Sequence, residues 1–179
     1  VTAQITAGAV KALRDATGAG PLDCKQALTE TGGDMERAKD ILREKGLARG
    51  AKVAERATDQ GIVESYIHSS GGVGRIGALV ELNCETDFVA RTDEFRELAR
   101  EVARQVVALN PRFISPEEAT PELVAAEELG PEQVQAMSLL SQPYVRDDSR
   151  TIGQLITEAV AKTGENIRVR RFARFELGR

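Results

Sequence analysis

Asn83-Cys84-Glu85-Thr86-Asp87-Phe88-Val89-Ala90-Arg91 is where the chain changes character. Ile76, Ala78, Val80, Leu82 and Cys84 alternate with Gly77, Leu79, Glu81 and Asn83. A period of two marks a strand with one buried face. Beyond the stretch, Phe95, Leu98, Ala99, Val102, Val106 and Leu109 recur at helical spacing. Between strand and helix, Thr86 or Asp87 is placed to accept hydrogen bonds from the orphan amides of the following turn. Two readings of Phe88 are open. One continuous helix would put Phe88 and Phe95 on the same face, and spacing alone favours that core role. Thr92-Asp93-Glu94, however, forms a second cap with an acidic first turn. If the main helix starts there, Asp87–Arg91 is a separate short turn and Phe88 is free of the helix register.

Working outward, Gly61–His68 reads as a strand, Ser69–Gly74 as a flexible turn and Ile76–Cys84 as the returning strand of a β-hairpin. Gly72, Gly74 and Gly77 fit G-x-G-x-x-G, but a dinucleotide fingerprint must follow a strand and open a helix. Here it precedes a strand, so no nucleotide cofactor is implied. The final element, Ile167–Leu177, puts Ile167, Val169, Ala173, Phe175 and Leu177 on one face, with Arg171 interrupting it. Arg168, Arg170, Phe172, Arg174 and Glu176 fall on the other. Its arginines either protect a sheet edge from aggregation or mark a partner-binding strand.

Towards the N-terminus, Thr6 caps a helix with Ile5 and Val10 as a hydrophobic staple, and Gly18 ends it. Gly20-Pro21 opens a second helix with Cys24, Ala27 and Leu28 inward, stopped at Gly32. Asp34 caps a third carrying Ala38, Ile41 and Leu42, closed by Gly46. A core that small is marginal alone and leans on a partner or on the rest of the chain. Leu47–Gln60, with Arg49, Lys52 and Arg56, reads as a helical or extended connector with solvated charges. Thr120-Pro121-Glu122 and Gly130-Pro131-Glu132 look like helix starts within a Pro-punctuated stretch, 112–142. Gln142–Ser149 reads as a polar loop or short extended piece, and Thr151 caps a helix that Gly164 ends. The expected fold is α+β: a three-helix module and connector over residues 1–55, then a three-stranded antiparallel sheet packed with helices over 56–179.

Composition narrows the function. The 179 residues carry a net charge of −4, which argues against a broad phosphate-neutralising surface and so against direct nucleic-acid binding. No apolar run is long enough to span a membrane, and no secretory signal is visible. Cys24 and Cys84 form no CxxC pair, and with the single His68 they cannot complete a common zinc set. Both read as buried thiols in a reducing cytoplasm. There is no phosphate loop, and nothing assembles a general acid and base. No metal, cofactor or catalytic residue is expected; the residues describe a binding protein rather than an enzyme.

Three motifs then align in order. They are Leu13-Arg14 through Thr17-Gly18-Ala19-Gly20 and Asp23-Cys24-Lys25-Gln26-Ala27-Leu28; Glu81 through Ala90; and Thr163-Gly164-Glu165-Asn166-Ile167 with Arg170-Arg171-Phe172. Together they resemble the signatures of the translation elongation factor Ts family, in a short form with one core unit. The resemblance implies a guanine-nucleotide exchange factor for elongation factor Tu, binding it GDP-loaded and nucleotide-free. It implies a ubiquitin-associated-like N-terminal module docking on the partner's GTPase domain near Arg14, Pro21 and Leu22. Pro21 and Leu22 stand where some relatives carry methionines. It implies that the turn Thr86, Asp87, Phe88 and Val89 reaches the partner's nucleotide site, Phe88 as a wedge and Asp87 as the charge that disturbs bound magnesium. This overrules the spacing argument for Phe88. Because longer members carry two copies of the core, a homodimer seamed along Ile167–Leu177 is expected. The competing readings are an adaptor that leaves nucleotide untouched and a nucleic-acid binder using Arg168, Arg170, Arg171 and Arg174.

Overall fold

The computed structural model describes residues 5–178, apart from the side chains of Leu47 and Arg49. The reading of Arg49 as a solvated charge therefore lies outside the described residues. The chain forms two compact units: one runs through Ala57 and takes in Thr157–Asn166, the other comprises Thr58–Ile156 and the chain from Ile167 on.

In the first unit, the Thr6 hydroxyl accepts from the Ala9 amide and opens α1 (Ala7–Thr17). Gly18 closes it in the left-handed region, its amide donating to Arg14 O at 2.7 Å. Pro21 starts α2 (Pro21–Glu30), and the Asp34 carboxylate accepts from the Arg37 amide to start α3 (Met35–Val53). Leu13, Cys24, Ala27, Leu28, Ala38 and Leu42 form the core, with Ile5, Val10 and Ile41 packed against it.

Gly46 does not end α3, which continues to Val53. A Cβ at Gly46 would meet Ala161 Cβ at 3.5 Å, an ordinary van der Waals contact, so the position packs towards another helix rather than acting as a stop. Ala161 belongs to α8 (Ile152–Thr163), whose second half is part of this unit. Buried Asn166 adds a tie, donating through Nδ2 to Ala54 O at 3.0 Å and Arg56 O at 2.9 Å. The small three-helix core is thus completed by sequence more than a hundred residues away.

In the second unit, β1 (Gln60–Ser70) and β2 (Val73–Cys84) pair antiparallel, and β5 (Arg168–Glu176) pairs with the other side of β2. The hairpin turn is two residues, not six: Ser70 pairs with Val73, and only Gly71 and Gly72 turn, both at positive φ. That φ pair suits the primed turns whose twist matches flanking strands. The α+β class holds. α5 (Asp93–Leu109) covers one face of the sheet, burying Phe95, Ala99, Val102, Ala103 and Val106 on the side of Ala78, Val80, Leu82 and Cys84.

The faces assigned to the last strand need correcting. Glu81 pairs with Arg171 but Leu82 pairs with Val169, so Arg170 is an extra residue in a β-bulge. A one-residue insertion switches every later side chain to the opposite face. Val169 is buried, but Phe172, Arg174 and Glu176 then turn partly inward, while Ala173, Phe175 and Leu177 face solvent. The single apolar face read from alternation does not exist. Arg174, turned inward, donates from Nε to Val107 O at 3.3 Å, near the end of α5.

Residues 112–142 form α6 (Pro121–Ala126) and α7 (Pro131–Met137) with two short 3-10 turns, and the Thr120 and Gly130 starts are where the spacing predicts them. The stretch after Gln142 forms a small hairpin, β3 (Pro143–Tyr144) and β4 (Asp147–Thr151). Thr151 and Gln154 cap α8 reciprocally, each side chain accepting from the other's amide. The β3–β4 hairpin is fixed to α5 by buried polar groups. Gln105 donates to Pro143 O at 2.9 Å and accepts from the Val145 amide at 3.0 Å. The Glu101 carboxylate accepts from the Tyr144 hydroxyl, Arg104 and Arg146. Burial works to raise the Glu101 carboxyl, but the hydrogen bonds from Tyr144 and Arg104 outweigh it and hold it below the ordinary range. Burial and the neighbouring Glu101 push the Tyr144 phenol up to about 12.

Candidate functional site

The strand-to-helix shoulder breaks into two helices. α4 (Asp87–Ala90) is capped by Thr86, whose hydroxyl accepts from the Val89 amide at 3.4 Å. α5 is capped separately by Thr92, accepting from the Phe95 amide at 3.2 Å. The second cap decides the register: a continuous helix is interrupted at Arg91-Thr92, and Phe88 never joins the face that Phe95 buries. Phe88 is 81% exposed, whereas Phe95 is 3% exposed.

The exposed ring stands on a braced base. The Cys84 thiol donates to Thr86 O at 3.1 Å, and the Thr92 hydroxyl donates to Val89 O at 2.8 Å. Val89 is half-buried and Ala90 is buried, so the side of α4 away from Phe88 is seated on the unit. Backbone donors and acceptors on both sides of Phe88 are therefore engaged, which braces the tip without burying its largest side chain. Thr86, Asp87, Phe88 and Val89 are brought together in one turn.

Sequence reasoning missed a neighbour. Arg91 forms an ion pair with Asp87 at 2.8 Å across one helical turn. Asp87 and Arg91 lie at i and i+4, and that spacing alone was the available signal. The tip thus carries an aromatic ring beside a paired carboxylate and guanidinium.

Arg14, Pro21 and Leu22 lie in the first unit. Arg14 is in the last turn of α1, and Pro21 and Leu22 open α2, so the three flank the Gly18–Gly20 link. All three are exposed, Leu22 at 77%.

A third feature is wider than the strand Ile167–Leu177 that the sequence singles out. On the sheet face opposite α5, Val63, Ile67, Leu79, Phe175 and Leu177 are exposed. They are contiguous by register: Ile67 pairs with Gly77 and Gly77 with Phe175, while Ser65, Leu79 and Ala173 form the adjacent row. A shallow hollow of about 420 Å³ opens on this face, lined by Ile67, Gly77, Leu79, Phe175 and Leu177 among others. One end of this face is polar, where Arg171 donates to Glu81 at 2.7 Å and holds that carboxyl below its usual range.

Among the described residues no group of His, Cys, Asp and Glu side chains could hold a metal, and both cysteines are buried thiols outside any disulfide. No helix among them is long and apolar enough to cross a membrane. His68 lies on β1 with its ring 6.5 Å from that of Tyr66. What the arrangement offers is contact: a rigid tip, an exposed helix-end surface and an open apolar sheet face.

A family model described as "Elongation factor TS" matches residues 32–136. Among curated proteins, the chain is 48% identical to "Elongation factor Ts" of Coprothermobacter proteolyticus, over 98% of this chain and 99% of that protein. It is 47% identical to the protein of the same name from Desulforamulus reducens, over 98% of this chain and 90% of that one. A third, from Cyanothece sp., is 48% identical over 98% of this chain and 75% of its own length.

Proposed function

The chain belongs to the elongation factor Ts family of translation elongation factors, and from that premise we propose that it is a guanine-nucleotide exchange factor for elongation factor Tu. It acts without covalent chemistry, in the cytoplasm, and binds the partner both GDP-loaded and nucleotide-free. Residues 1–55, a ubiquitin-associated-like module, dock on the partner's GTPase domain through Arg14, Pro21 and Leu22. Residues 56–179 carry the exchange element. Thr86 and Val89 frame the tip, Phe88 wedges into the partner's nucleotide site, and Asp87 disturbs the magnesium and phosphate held there. No cofactor and no direct nucleic-acid contact are needed.

The observation that carries this reading is the isolated exposure of Phe88 on a doubly capped, hydrogen-bonded turn. A large apolar side chain held in water by a rigid base gains by entering a partner, by about 1.5–3 kcal/mol when fully buried. Linkage then fixes the thermodynamics: if the factor weakens GDP binding, GDP weakens the factor's binding equally. The nucleotide-free partner must therefore be the form bound most tightly. The direct test is the rate of GDP release from elongation factor Tu with and without this protein. An adaptor would bind and leave that rate unchanged.

The active form is a homodimer. Support comes from the open sheet face, where Val63, Ile67, Leu79, Phe175 and Leu177 present apolar surface beside the shallow hollow. Contiguous apolar patches of this kind mark interaction surfaces, and a twofold interface lets one patch cover its own copy. The seam then uses the outward side chains of β5 together with β1 and β2. Sedimentation giving a fully active monomer at working concentration would rule it out.

A further inference from the structure

Resting on the exchange reading above, we infer that Arg91 is a working part of the tip, carrying the counter-charge with which Asp87 enters the partner's site. Asp87 and Arg91 are paired at 2.8 Å, with side chains 44% and 76% exposed, next to the exposed Phe88 ring. All three groups project from one turn whose other side is seated on the fold. A tip of that make-up meets a site holding a nucleoside diphosphate and a divalent cation. A diphosphate outweighs a single divalent cation in charge, so a lone carboxylate approaching it is repelled even as it competes for the metal. Repulsion of that kind grows as water is excluded.

The pair removes the difficulty. The tip arrives neutral and dipolar, with an oxygen ligand suited to magnesium and a planar guanidinium fork suited to phosphate oxygens. As the Asp87 carboxylate turns to the cation, Arg91 is released from it and takes phosphate oxygens that the departing metal leaves uncompensated. The common alternative for such an i,i+4 pair is support of its own helix. That role would be indifferent to what the partner holds.

The test mixes the full-length chain carrying Arg91→Ala, Arg91→Lys or Arg91→Glu with magnesium- and GDP-loaded elongation factor Tu. GDP release is read beside the affinity for nucleotide-free partner and the thermal midpoint. Loss of one charge-assisted hydrogen bond predicts release about tenfold slower for Arg91→Ala, with affinity for the nucleotide-free partner changed by less than about twofold. Arg91→Lys recovers part of the rate because the charge stays and the fork is lost; Arg91→Glu is slowest. Equal losses towards both forms of the partner, or unchanged release in Arg91→Ala, would overturn the role of Arg91. Phe88→Ala run alongside separates the two levels. If it too leaves release unchanged, the exchange reading itself falls; slow Phe88→Ala with normal Arg91→Ala removes only this inference.

Discussion

Phe88 and Phe175 are both held out into water by the same unit, at 81% and 68% exposure, yet their settings have little in common. Phe88 stands alone on a four-residue helix with a cap before it and a second cap after it. Phe175 lies on the edge strand β5, on a face it shares with Ile67, Leu79 and Leu177, beside a shallow hollow. An isolated ring on a rigid point has the shape of something that inserts; a ring within a broad apolar face has the shape of something that is covered. Exposure by itself does not separate the two. Their neighbours do, and Phe95, seven residues from Phe88, is buried because it lies past the second cap, in the register of the main helix.

The widest separation comes from substituting each ring. Phe88→Ala is expected to slow GDP release from elongation factor Tu by about 10–100-fold, the equivalent of one buried aromatic, with little change in thermal midpoint. Stopped-flow release of a fluorescent GDP checks it, and a large drop in stability with normal release would return Phe88 to the core. Phe175→Asp is expected to do the converse. It should shift sedimentation from dimer to monomer, raising the dimer dissociation constant at least about tenfold by placing a charge in an apolar interface. A variant that stays dimeric would detach Phe175 from the proposed seam and leave the two rings without distinct roles.

A third change disturbs the scaffold while touching neither ring. Tyr144→Phe removes the hydroxyl that Glu101 accepts and should cost about 1–3 kcal/mol by leaving that buried carboxylate one donor short. The wild type should also lose stability in alkali. The phenol is raised from 10.0 to about 12 in the folded chain. Its neutral form is favoured by folding, so the contribution is complete below pH 10 and is lost as pH rises towards 12. Thermal melts across that window should fall for wild type and flatten for Tyr144→Phe. Exchange per folded molecule and dimerisation should both survive at neutral pH.

Much of this was legible in the chain. Alternation from Ile76 to Cys84, the caps Thr6, Asp34, Thr86, Thr92, Thr120 and Thr151, and the Pro21, Pro121 and Pro131 starts are local signals, and local signals are written in local sequence. The errors share another cause. Gly46 reads as a stop because a glycine near a helix end commonly is one; only Ala161, far away in sequence, shows that it is a packing site. Arg170 reads as one more strand residue because a bulge is defined by the partner strand, and Glu81 and Leu82 are what expose it. Phe88 lay between the two cases. Its exposure depended on whether Thr92 starts a new helix, a question that spacing posed and could not answer.

The smallest expected effect asks how stiff the tip must be. Thr86 caps α4 through a contact of 3.4 Å, at the long end for a hydrogen bond, so its contribution belongs at the low end of the capping range, about 0.5 kcal/mol. Thr86→Ala should leave the strand, the sheet face and the proposed dimer as they are. Only α4 loosens, and Phe88 spends more time out of position. If rate follows the fraction of tips in the capped state, release slows by about twofold, and Thr86→Ser restores it because the accepting oxygen returns. A much larger loss would mean that Thr86 touches the partner directly, which the serine variant would also report by failing to restore the rate. No loss at all would mean that the Cys84 and Thr92 hydrogen bonds suffice to hold the ring, and that α4 has more rigidity than insertion requires.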